Sequence, residues 1–469
     1  MSSGTSPSAA LSSQSVAATN SSASRSEPES LLSAPPFRAV IRLATPTTLV
    51  MVVAATSNVL YTYYVSRLGA DSIAAVSLVF PVSLIAITAM GGGIGAGASS
   101  AVARALGANR RDEATTVAEH AFVLSVFLGI VFALIIQIGA GSLFSLMGGQ
   151  GVVLDHASLF ARVLFGGAAI SFTAAMFDSV MRGEGNVRVP AIWSSTSLLM
   201  QIGCTPLFMF VFKWGLLGAP LAALTCQFIA LLPRARYLFG GLGIVQPKLL
   251  PRTWKWNAIG EVLRVGVPAS LSTIINYTGL MVLTGVVARI GKPHLAAYGL
   301  GTRLDFLLLS FAYGFGAAVL TLVGMATGAH RPEKTRIYVL RAGAMIVLLQ
   351  GALGLLLFHR PEIWFNLFTH DPDLLEVGAR YFHWIGPSYP FVGVAMVLSF
   401  AFQGLGRATI PLAWMSLRVV AVVSVSLLCT QYFGLDDSAV FATVAIGNML
   451  SAVIMSFLFW RVERKLYDR

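Results

Sequence analysis

The chain has 469 residues, of which 56% are hydrophobic and 11% charged, and its mean hydropathy is +0.76. This composition excludes a water-soluble globular protein and indicates an integral membrane protein. The formal net charge of +12 at pH 7 predicts loops that face anionic lipid headgroups. We expect membrane lipids as partners and no nucleic acid.

Residues 1–36 differ in composition from the rest of the chain. They are rich in Ser and Ala and hold no apolar run of the length that a secretory signal needs. We predict a disordered cytoplasmic tail, so that a chain starting near Pro36 inserts and transports like the full chain. A Ser-rich transit peptide is the alternative, but Glu27, Glu29 and the scarcity of Arg argue against it.

Apolar stretches long enough to cross a bilayer follow the tail. A spanning helix needs roughly 20 apolar residues, and runs such as "AMIVLLQGALGLLLF" are apolar on all sides, which favours helices over barrel strands. The sequence therefore predicts an all-α integral membrane protein with about twelve transmembrane helices. They lie near 40–66, 73–103, 115–141, 156–182, 188–212, 218–240, 260–289, 295–327, 336–358, 376–404, 410–433 and 438–460.

Lys and Arg divide unequally between the two sides of this predicted topology. Most of them fall on the side of the chain termini, among them Arg234 and Arg418. The other side receives only Arg67, Arg162, Lys213, Arg289, Lys292, Arg360 and Arg380. The positive-inside rule then predicts a multi-pass protein of the plasma (inner) membrane with both termini in the cytoplasm.

The second half of the chain repeats the first. "GADSIAAV" at 69–76 returns as "GKPHLAAY" at 291–298, and "RLATP" at 42–46 returns at the same offset as "RVGVP" at 264–268. "LGANRRDEA" at 106–114 and "RGEGNVRVP" at 182–190 return as "TGAHRPEKT" at 327–335 and "QGLGRATIP" at 403–411, at an offset shorter by one position. The offset holds six spans, so the sequence predicts a parallel internal repeat of two six-helix lobes.

The repeat defines the predicted domains. They are a tail at 1–36, an amino-terminal lobe at 37–240, a cytoplasmic connector at 241–259, a carboxyl-terminal lobe at 260–463 and a cytoplasmic tail at 464–469. The glycine run "GGGIGAGASS" at 91–100 has no preceding strand and no GK[ST], so we interpret it as close helix packing rather than a nucleotide loop.

These duplicated motifs, "RLGADSIAAVSLVFPV", "ARALGANRRDEA" and "RGEGNVRVP" above all, resemble the multidrug and toxic compound extrusion (MATE) family. The resemblance covers roughly residues 37–463 and is nearer to the damage-inducible branch. It implies a secondary active, cation-coupled antiporter that exports drug-like or metabolite compounds by rocking two lobes about a central cavity. We expect a monomer with no bound cofactor.

Ionisable groups inside spans point to a site, because a charge within a bilayer is retained only with a partner or a use. Asp178 lies in span 4, and Arg303 and Asp305 lie in span 8. Arg303 and Asp305 point about 200° apart on an ideal helix, so they cannot pair with each other. We predict that each pairs with a different helix and stabilises the carboxyl-terminal lobe.

The carboxylates that the resemblance leads one to expect are absent. Tyr61 stands where the span 1 acid is usual, with Asn58 retained, and "QIGCTP" in span 5 offers only Gln201 and Thr205. The other branch's span 7 acid aligns with Asn276, and its span 10 acid falls near Val392.

We therefore predict that Asp178 is the ion-coupling carboxylate, with Asn58, Gln201, Thr205 and Tyr61 as its hydrogen-bonding shell. One carboxylate favours a proton, and sodium stays possible as the coupling ion. Two other interpretations stay open: Asp178 facing cytoplasmic water beside Arg182, and a lobe without a coupling acid.

Two other function classes were weighed against the exporter. A lipid or lipid-linked oligosaccharide flippase of the same superfamily predicts a cationic cavity, and Arg303 is the one basic residue that the sequence places clearly within a span. An intramembrane enzyme needs a nucleophile with a base, or a metal cluster. No residue spacing in the chain predicts a nucleophile with a base or a metal cluster. The cysteines are predicted to be small buried residues without a metal motif. They are Cys204, Cys226 and Cys429.

Overall fold

A computed structural model describes residues 27–248, 251, 253–434 and 436–467. The part of the predicted tail before residue 27 lies outside the described residues. Helices make up nearly all of the rest, and eleven of them are long and apolar enough to cross a membrane. A bent pair, Gly151–Gly166 and Ala168–Gly183, adds a twelfth when it is counted as one span. The prediction of an all-helical membrane protein with about twelve spans is confirmed.

We number the spans 1 to 12 in chain order. Spans 1–6 are Pro36–Ser66, Ala70–Gly107, Arg111–Leu146, the bent pair Gly151–Gly183, Arg188–Val211 and Gly215–Phe239. Spans 7–12 are Trp256–Ile290, Lys292–Gly328, Pro332–His359, Pro372–Gly404, Thr409–Tyr432 and Asp437–Lys465. A short helix at Glu362–Phe365 precedes span 10. Twelve crossings return the chain to the side where it began, which we call the terminal side, and the opposite side is the distal side.

Span 4 bends by 48° between Gly166 and Ala168. A Cβ atom at Gly167 would lie 2.3 Å from Leu224 Cδ2 of span 6, so any larger residue would displace the Leu224 side chain. Span 3 also lies close to the bent span, since a Cβ atom at Gly129 would lie 2.4 Å from the Ala169 Cα atom. Gly129 therefore lets span 3 approach the backbone of the bent span, and Gly167 leaves room for the Leu224 side chain of span 6.

Span 2 holds a π-helical segment at Ala89–Ile94 between two α-helical parts. Ser270 Oγ of span 7 donates to the Ala89 carbonyl at 2.7 Å, which satisfies a group within the irregular turn. Spans 5 and 11 end in π-helical segments as well, at Leu207–Val211 and Leu428–Tyr432.

The cores of the two lobes meet on the terminal side. One apolar cluster lies mainly in spans 2–6, and another joins the distal parts of spans 7–12. A third cluster contains Leu43 of span 1 and Ala103 of span 2 together with Val323 of span 8 and Phe402 of span 10. The terminal halves of the lobes thus share one buried core.

A helix at Glu27–Ser33 precedes span 1 and packs against the shared core. The side chains of Leu31 and Leu32 are 2% and 5% exposed, respectively. The prediction of disorder up to residue 36 is therefore wrong for this helix, because two adjacent leucines supply an apolar face that the low-complexity composition concealed. We call residues 27–35 the amino-terminal strap.

The connector and the second tail are shorter than predicted. Span 7 begins at Trp256, ahead of the predicted start at 260, and the last helix continues to Tyr467. Lys255 N donates to His120 Nε2 of span 3 at 2.9 Å, and the Trp254 ring contacts the His120 ring. Trp256 therefore starts span 7 at a point that is fixed against span 3.

Candidate functional site

The lobes are closed against each other on the terminal side. Ser100 Oγ of span 2 donates to the Gln403 carbonyl of span 10 at 2.5 Å, and Thr321 Oγ1 of span 8 donates to the Arg182 carbonyl of span 4 at 3.1 Å. Arg104 hydrogen-bonds to Ser100 and forms an ion pair with Glu261 of span 7 at 2.8 Å. These polar contacts join both lobes across one surface, which we call the terminal seam.

Glycines bring backbones together along the terminal seam. A Cβ atom at Gly97 would lie 2.2 Å from the Val262 carbonyl oxygen, and one at Gly107 would lie 2.1 Å from the Met325 carbonyl oxygen. A Cβ atom at Gly328 would lie 2.0 Å from the Arg104 carbonyl oxygen. The interpretation of the glycine run at 91–100 as close helix packing is confirmed for Gly97, and the contact lies between lobes.

The same helices separate towards the distal side. Gly314 of span 8 faces span 1, because a Cβ atom there would lie 2.2 Å from Thr48 Oγ1. Leu307 and Arg303 precede Gly314 by about two and three helical turns, so they lie on the same face. Both side chains are exposed. The terminal parts of the lobes share one apolar core whereas their distal parts have separate ones, so we interpret the space between the lobes as a cleft that is shut at the terminal side and open at the distal side.

A cavity of about 310 Å³ lies in the carboxyl-terminal lobe and reaches the cleft, where Thr88 and Gly92 of span 2 complete its wall. The lining is rich in aromatic side chains. Five tyrosines take part: Tyr277, Tyr298, Tyr313, Tyr381 and Tyr389. Asn276 and Val392, which the resemblance predicted to stand at or near the other branch's span 7 and span 10 acids, also line this cavity.

Asp305 of span 8 is the carboxylate of this cavity. Its Oδ2 accepts a hydrogen bond from Tyr381 Oη at 2.6 Å, and its Oδ1 accepts one from Tyr389 Oη at 2.7 Å. Both tyrosines belong to span 10, and no described residue forms an ion pair with Asp305. The carboxylate is thus held by two neutral donors that themselves line the cavity.

Arg303 does not behave as predicted. The prediction that Asp305 pairs with another helix agrees with its two tyrosine bonds, but Arg303 has no hydrogen bond or ion pair with any described residue. Its exposed place beside the cleft explains this, because a long basic side chain can remain solvated there.

Arg418 of span 11 lines the same cavity. Its Nη2 atom donates to Asn448 Oδ1 of span 12, and the Asn448 amide donates to Ser388 Oγ at 3.1 Å. No carboxylate among the described residues forms an ion pair with Arg418. The sequence prediction that assigned Arg418 to the side of the termini is wrong, since the residue lies nine positions inside span 11.

Asp178 of span 4 is paired with a cation. Its Oδ1 lies 2.9 Å from Arg234 Nε of span 6, and its Oδ2 accepts from Ser194 Oγ of span 5 at 2.9 Å. Arg234 also donates to Ser194 at 2.7 Å, which closes the network among the three side chains. Asp178 and Arg234 are 9% and 3% exposed. Arg234 is therefore a buried partner and not a loop residue, contrary to its predicted assignment.

The predicted shell of Asp178 does not form. None of Asn58, Tyr61, Gln201 and Thr205 donates to Asp178 among the described residues. Asn58 is exposed, Tyr61 packs against the amino-terminal core, and the buried Thr205 hydroxyl has no hydrogen-bond partner within the described structure. Residues in different spans were grouped by resemblance alone, and helix rotation places their side chains on different faces.

Known proteins match this architecture over nearly its whole length. The MatE family model matches residues 46–207 and 268–428, one match in each lobe and together more than half of the chain. The chain belongs to the MatE family. It is a secondary transporter and not an enzyme.

Curated relatives are similar at low identity. The chain is 25% identical over 389 residues to a protein named FAD transporter from Shewanella oneidensis, covering 80% of this chain and 84% of that protein. It is 24% identical to the probable multidrug resistance protein NorM of Thermotoga maritima, covering 72% and 74%. It is 22% identical to the multidrug export protein MepA of Staphylococcus aureus, covering 92% and 95%.

Solved structures share the fold of this MatE protein. A MOP superfamily transporter from Pyrococcus furiosus superposes with a TM-score of 0.88 at 27% identity, covering 94% of this chain and 99% of that one. A multidrug resistance MATE family transporter in an outward-facing conformation gives the same TM-score, identity and coverage.

Proposed function

We propose that this protein is an antiporter that exports organic compounds by alternating access between its two lobes. The observation that supports this most directly is the asymmetry of the cleft, with its sealed terminal side and its open distal side. The relatives named as exporters of drugs, and the one named for FAD, support small organic compounds as the substrate class.

The excess of Lys and Arg on the terminal side supports a cytoplasmic location for both termini of a plasma-membrane protein. The distal side then faces outward, and the conformation corresponds to a transporter that releases substrate to the exterior. The duplicated motifs favour the damage-inducible branch, and we propose that the transporter acts as a monomer.

We propose a proton as the coupling ion and Asp305 as the group that carries it. When Asp305 is ionised, its carboxylate holds the Tyr381 and Tyr389 hydroxyls by two hydrogen bonds. A proton on the carboxyl removes its charge and turns one oxygen from an acceptor into a donor, so that the hydrogen bond to one tyrosine must reverse or break. Coupling then acts through the shape of the cavity, since both tyrosines line the substrate space.

Asp178 fits a structural role better than the predicted coupling role. Protonation of Asp178 leaves the buried Arg234 guanidinium without its partner, so the ion pair opposes proton uptake at this carboxylate. Among the described residues, no cation forms an ion pair with Asp305. The cavity, the cleft and the carboxylate thus converge in the carboxyl-terminal lobe.

Flux in proteoliposomes under an imposed proton or sodium gradient tests this function. We expect export of a fluorescent organic dye that depends on the proton gradient. Asp305→Asn keeps the size of the side chain and, like the protonated carboxyl, offers one acceptor oxygen, but it removes the titratable group, so gradient-driven export should fall at least tenfold. Asp155→Asn, at the outer part of span 4, is the matched control. Unchanged proton-driven export by Asp305→Asn, or export driven by sodium alone, contradicts the coupling assignment.

A further inference from the structure

We infer that the cavity of the carboxyl-terminal lobe binds aromatic organic anions, with Arg418 as the group that holds the carboxylate or phosphate. This inference rests on the proposed transport function, because it names the substrate class of the same cavity. Four observations carry it: the position of Arg418, its partner, the state of the nearby acid and the aromatic lining.

The position of Arg418 puts a positive charge within a spanning helix. It lies nine positions after the start of span 11 at Thr409, about 14 Å along an ideal helix. The residue lines the cavity together with Asn448 and Ser451 of span 12. A basic residue at such a position is rare and marks a pathway or a ligand.

The partner of Arg418 is neutral. Asn448 accepts one hydrogen bond from it, and the described residues supply no carboxylate in ion-pair contact. A guanidinium has five donors, and its planar fork matches the two oxygens of a carboxylate or phosphate. Arg418 therefore retains both charge and donors for a ligand in the cavity.

Asp305 does not supply the missing negative charge. Both of its oxygens accept from tyrosines of span 10, at 2.6 and 2.7 Å. In the amino-terminal lobe, by contrast, Arg234 Nε lies 2.9 Å from Asp178 Oδ1 and forms an ion pair with it. One lobe pairs its buried arginine internally, and the other leaves its arginine facing a cavity.

The remainder of the lining selects an aromatic body for the ligand. Five tyrosines face the space, joined by Phe306, Phe400 and Phe441. Aromatic walls bind flat, apolar rings, and a few polar groups set their orientation. The cavity thus combines a ring-binding wall with the Arg418 cation, while the Asp305 carboxylate in the same lining is engaged by two tyrosines.

Binding of two dyes that share a xanthene ring system tests the inference without any ion gradient. Fluorescein is anionic and rhodamine 6G is cationic. We expect the purified full chain in lipid nanodiscs to bind fluorescein at least tenfold more tightly, as measured by fluorescence polarisation. A rhodamine 6G affinity equal to or above that of fluorescein overturns the inference, as does failure of both dyes to bind.

Two variants locate the charge. Arg418→Met removes it, and Asn448→Asp keeps the arginine and its hydrogen bond but adds a counter-ion. Each should weaken fluorescein binding about tenfold, which corresponds to about 1.4 kcal/mol. Arg162→Gln, at an exposed position of span 4, should bind like the wild type. If Arg418→Met fails to fold, the test depends on Asn448→Asp alone. Wild-type fluorescein affinity in Asn448→Asp overturns the proposal.

The anion could be a soluble compound or the headgroup of a lipid. Nanodiscs of phosphatidylcholine, with and without phosphatidylglycerol, separate the two sources. Competition by phosphatidylglycerol in the wild type but not in Asn448→Asp identifies a lipid headgroup as an occupant of the site. Fluorescein affinity that is independent of phosphatidylglycerol identifies a soluble anion. Because binding needs no gradient, loss of coupled flux in the earlier experiment leaves this result interpretable.

Discussion

Asp178 and Arg234 form an ion pair that is nearly closed to solvent, and its contribution depends on both partners being present. Removing one partner of a buried pair typically costs about 3–5 kcal/mol, because the other charge is left unpaired. We expect Asp178→Asn and Arg234→Met each to lower the free energy of unfolding by that amount. Asp178→Leu combined with Arg234→Met should lose less than either single change. Thermal unfolding in detergent measures all of them.

The alternative outcome for Asp178 is specific. If Asp178→Asn unfolds at the wild-type temperature while proton-driven export disappears, the residue is the coupling carboxylate after all. Retention of both stability and export shows that the pair is dispensable, and then the structural role assigned here is wrong.

The sequence identified both intramembrane aspartates but none of their partners. Arg234 in "LLPRARYLF" lies near a predicted span end, so that charge counting assigned it to the aqueous side. Tyr381 and Tyr389 carry no charge and stand far along the chain from Asp305, in another span. Pairings of this kind depend on how helices rotate against one another, and a single sequence holds no direct record of that rotation.

At the scale of elements, the amino-terminal strap connects to both lobes. Lys334 Nζ and Tyr338 Oη of span 9 donate to the Leu32 carbonyl, at 2.6 and 3.4 Å. Leu31 also packs against Gly185, in the turn between spans 4 and 5, where a Cβ atom would lie 2.4 Å from Leu31 Cδ1. The strap therefore lies across the terminal seam and stabilises its closed state.

Truncation separates the strap from the residues before it. A chain that begins at residue 27 should behave like the full chain, whereas one that begins at Pro36 should open its terminal seam more often. Met325→Cys reports this opening, because the residue is fully buried at the seam. We expect maleimide to label it at least threefold faster without the strap, on a background with the three natural cysteines replaced by Ala.

Full-length Leu31→Ala with Leu32→Ala provides the matched control, since it removes only the apolar contacts. It should raise the labelling rate in the same direction. Equal labelling of all four chains restores the original prediction that residues 1–36 are dispensable.

The long apolar helices could be predicted from the sequence, and the weakly apolar helix of the amino-terminal strap could not. Twelve spans and their duplication follow from apolar length and repeated motifs, because both properties are local to the chain. The strap was missed since only Leu31 and Leu32 distinguish it from its Ser-rich surroundings. Its helix is stabilised by tertiary contacts with span 9 and not by its own composition.

For the molecule as a whole, the terminal seam is a surface on which backbones touch. A side chain at Gly97 has no room, because its Cβ atom would meet the Val262 carbonyl at 2.2 Å. We expect Gly97→Leu to prevent closure of the terminal side and to abolish export. Gly139→Leu in span 3 should have little effect, because a Cβ atom there meets nothing within 4 Å.

Cysteines introduced in place of Arg67 and Arg289, on the distal side, report how the two lobes move relative to each other. If the lobes rock as bodies, a seam held open by Gly97→Leu brings the distal ends together, so disulfide formation between these cysteines should be faster than in the Gly139→Leu control. Equal rates in both variants contradict rigid-body rocking.

The π-helical turn at Ala89–Ile94 also records the history of the two halves. The offset between repeats becomes shorter by one position across this turn, from the motifs at 69 and 291 to those at 106 and 327. Span 2 has 38 residues where span 8 has 37. A single insertion accounts for both differences, since a helix accommodates an extra residue by widening one turn.

The π segments that end spans 5 and 11 begin at Leu207 and Leu428, which keep the shorter offset. Those two segments occupy equivalent positions in the two repeats, whereas the turn in span 2 has no counterpart in span 8 and lies at the contact with Ser270 of the other lobe.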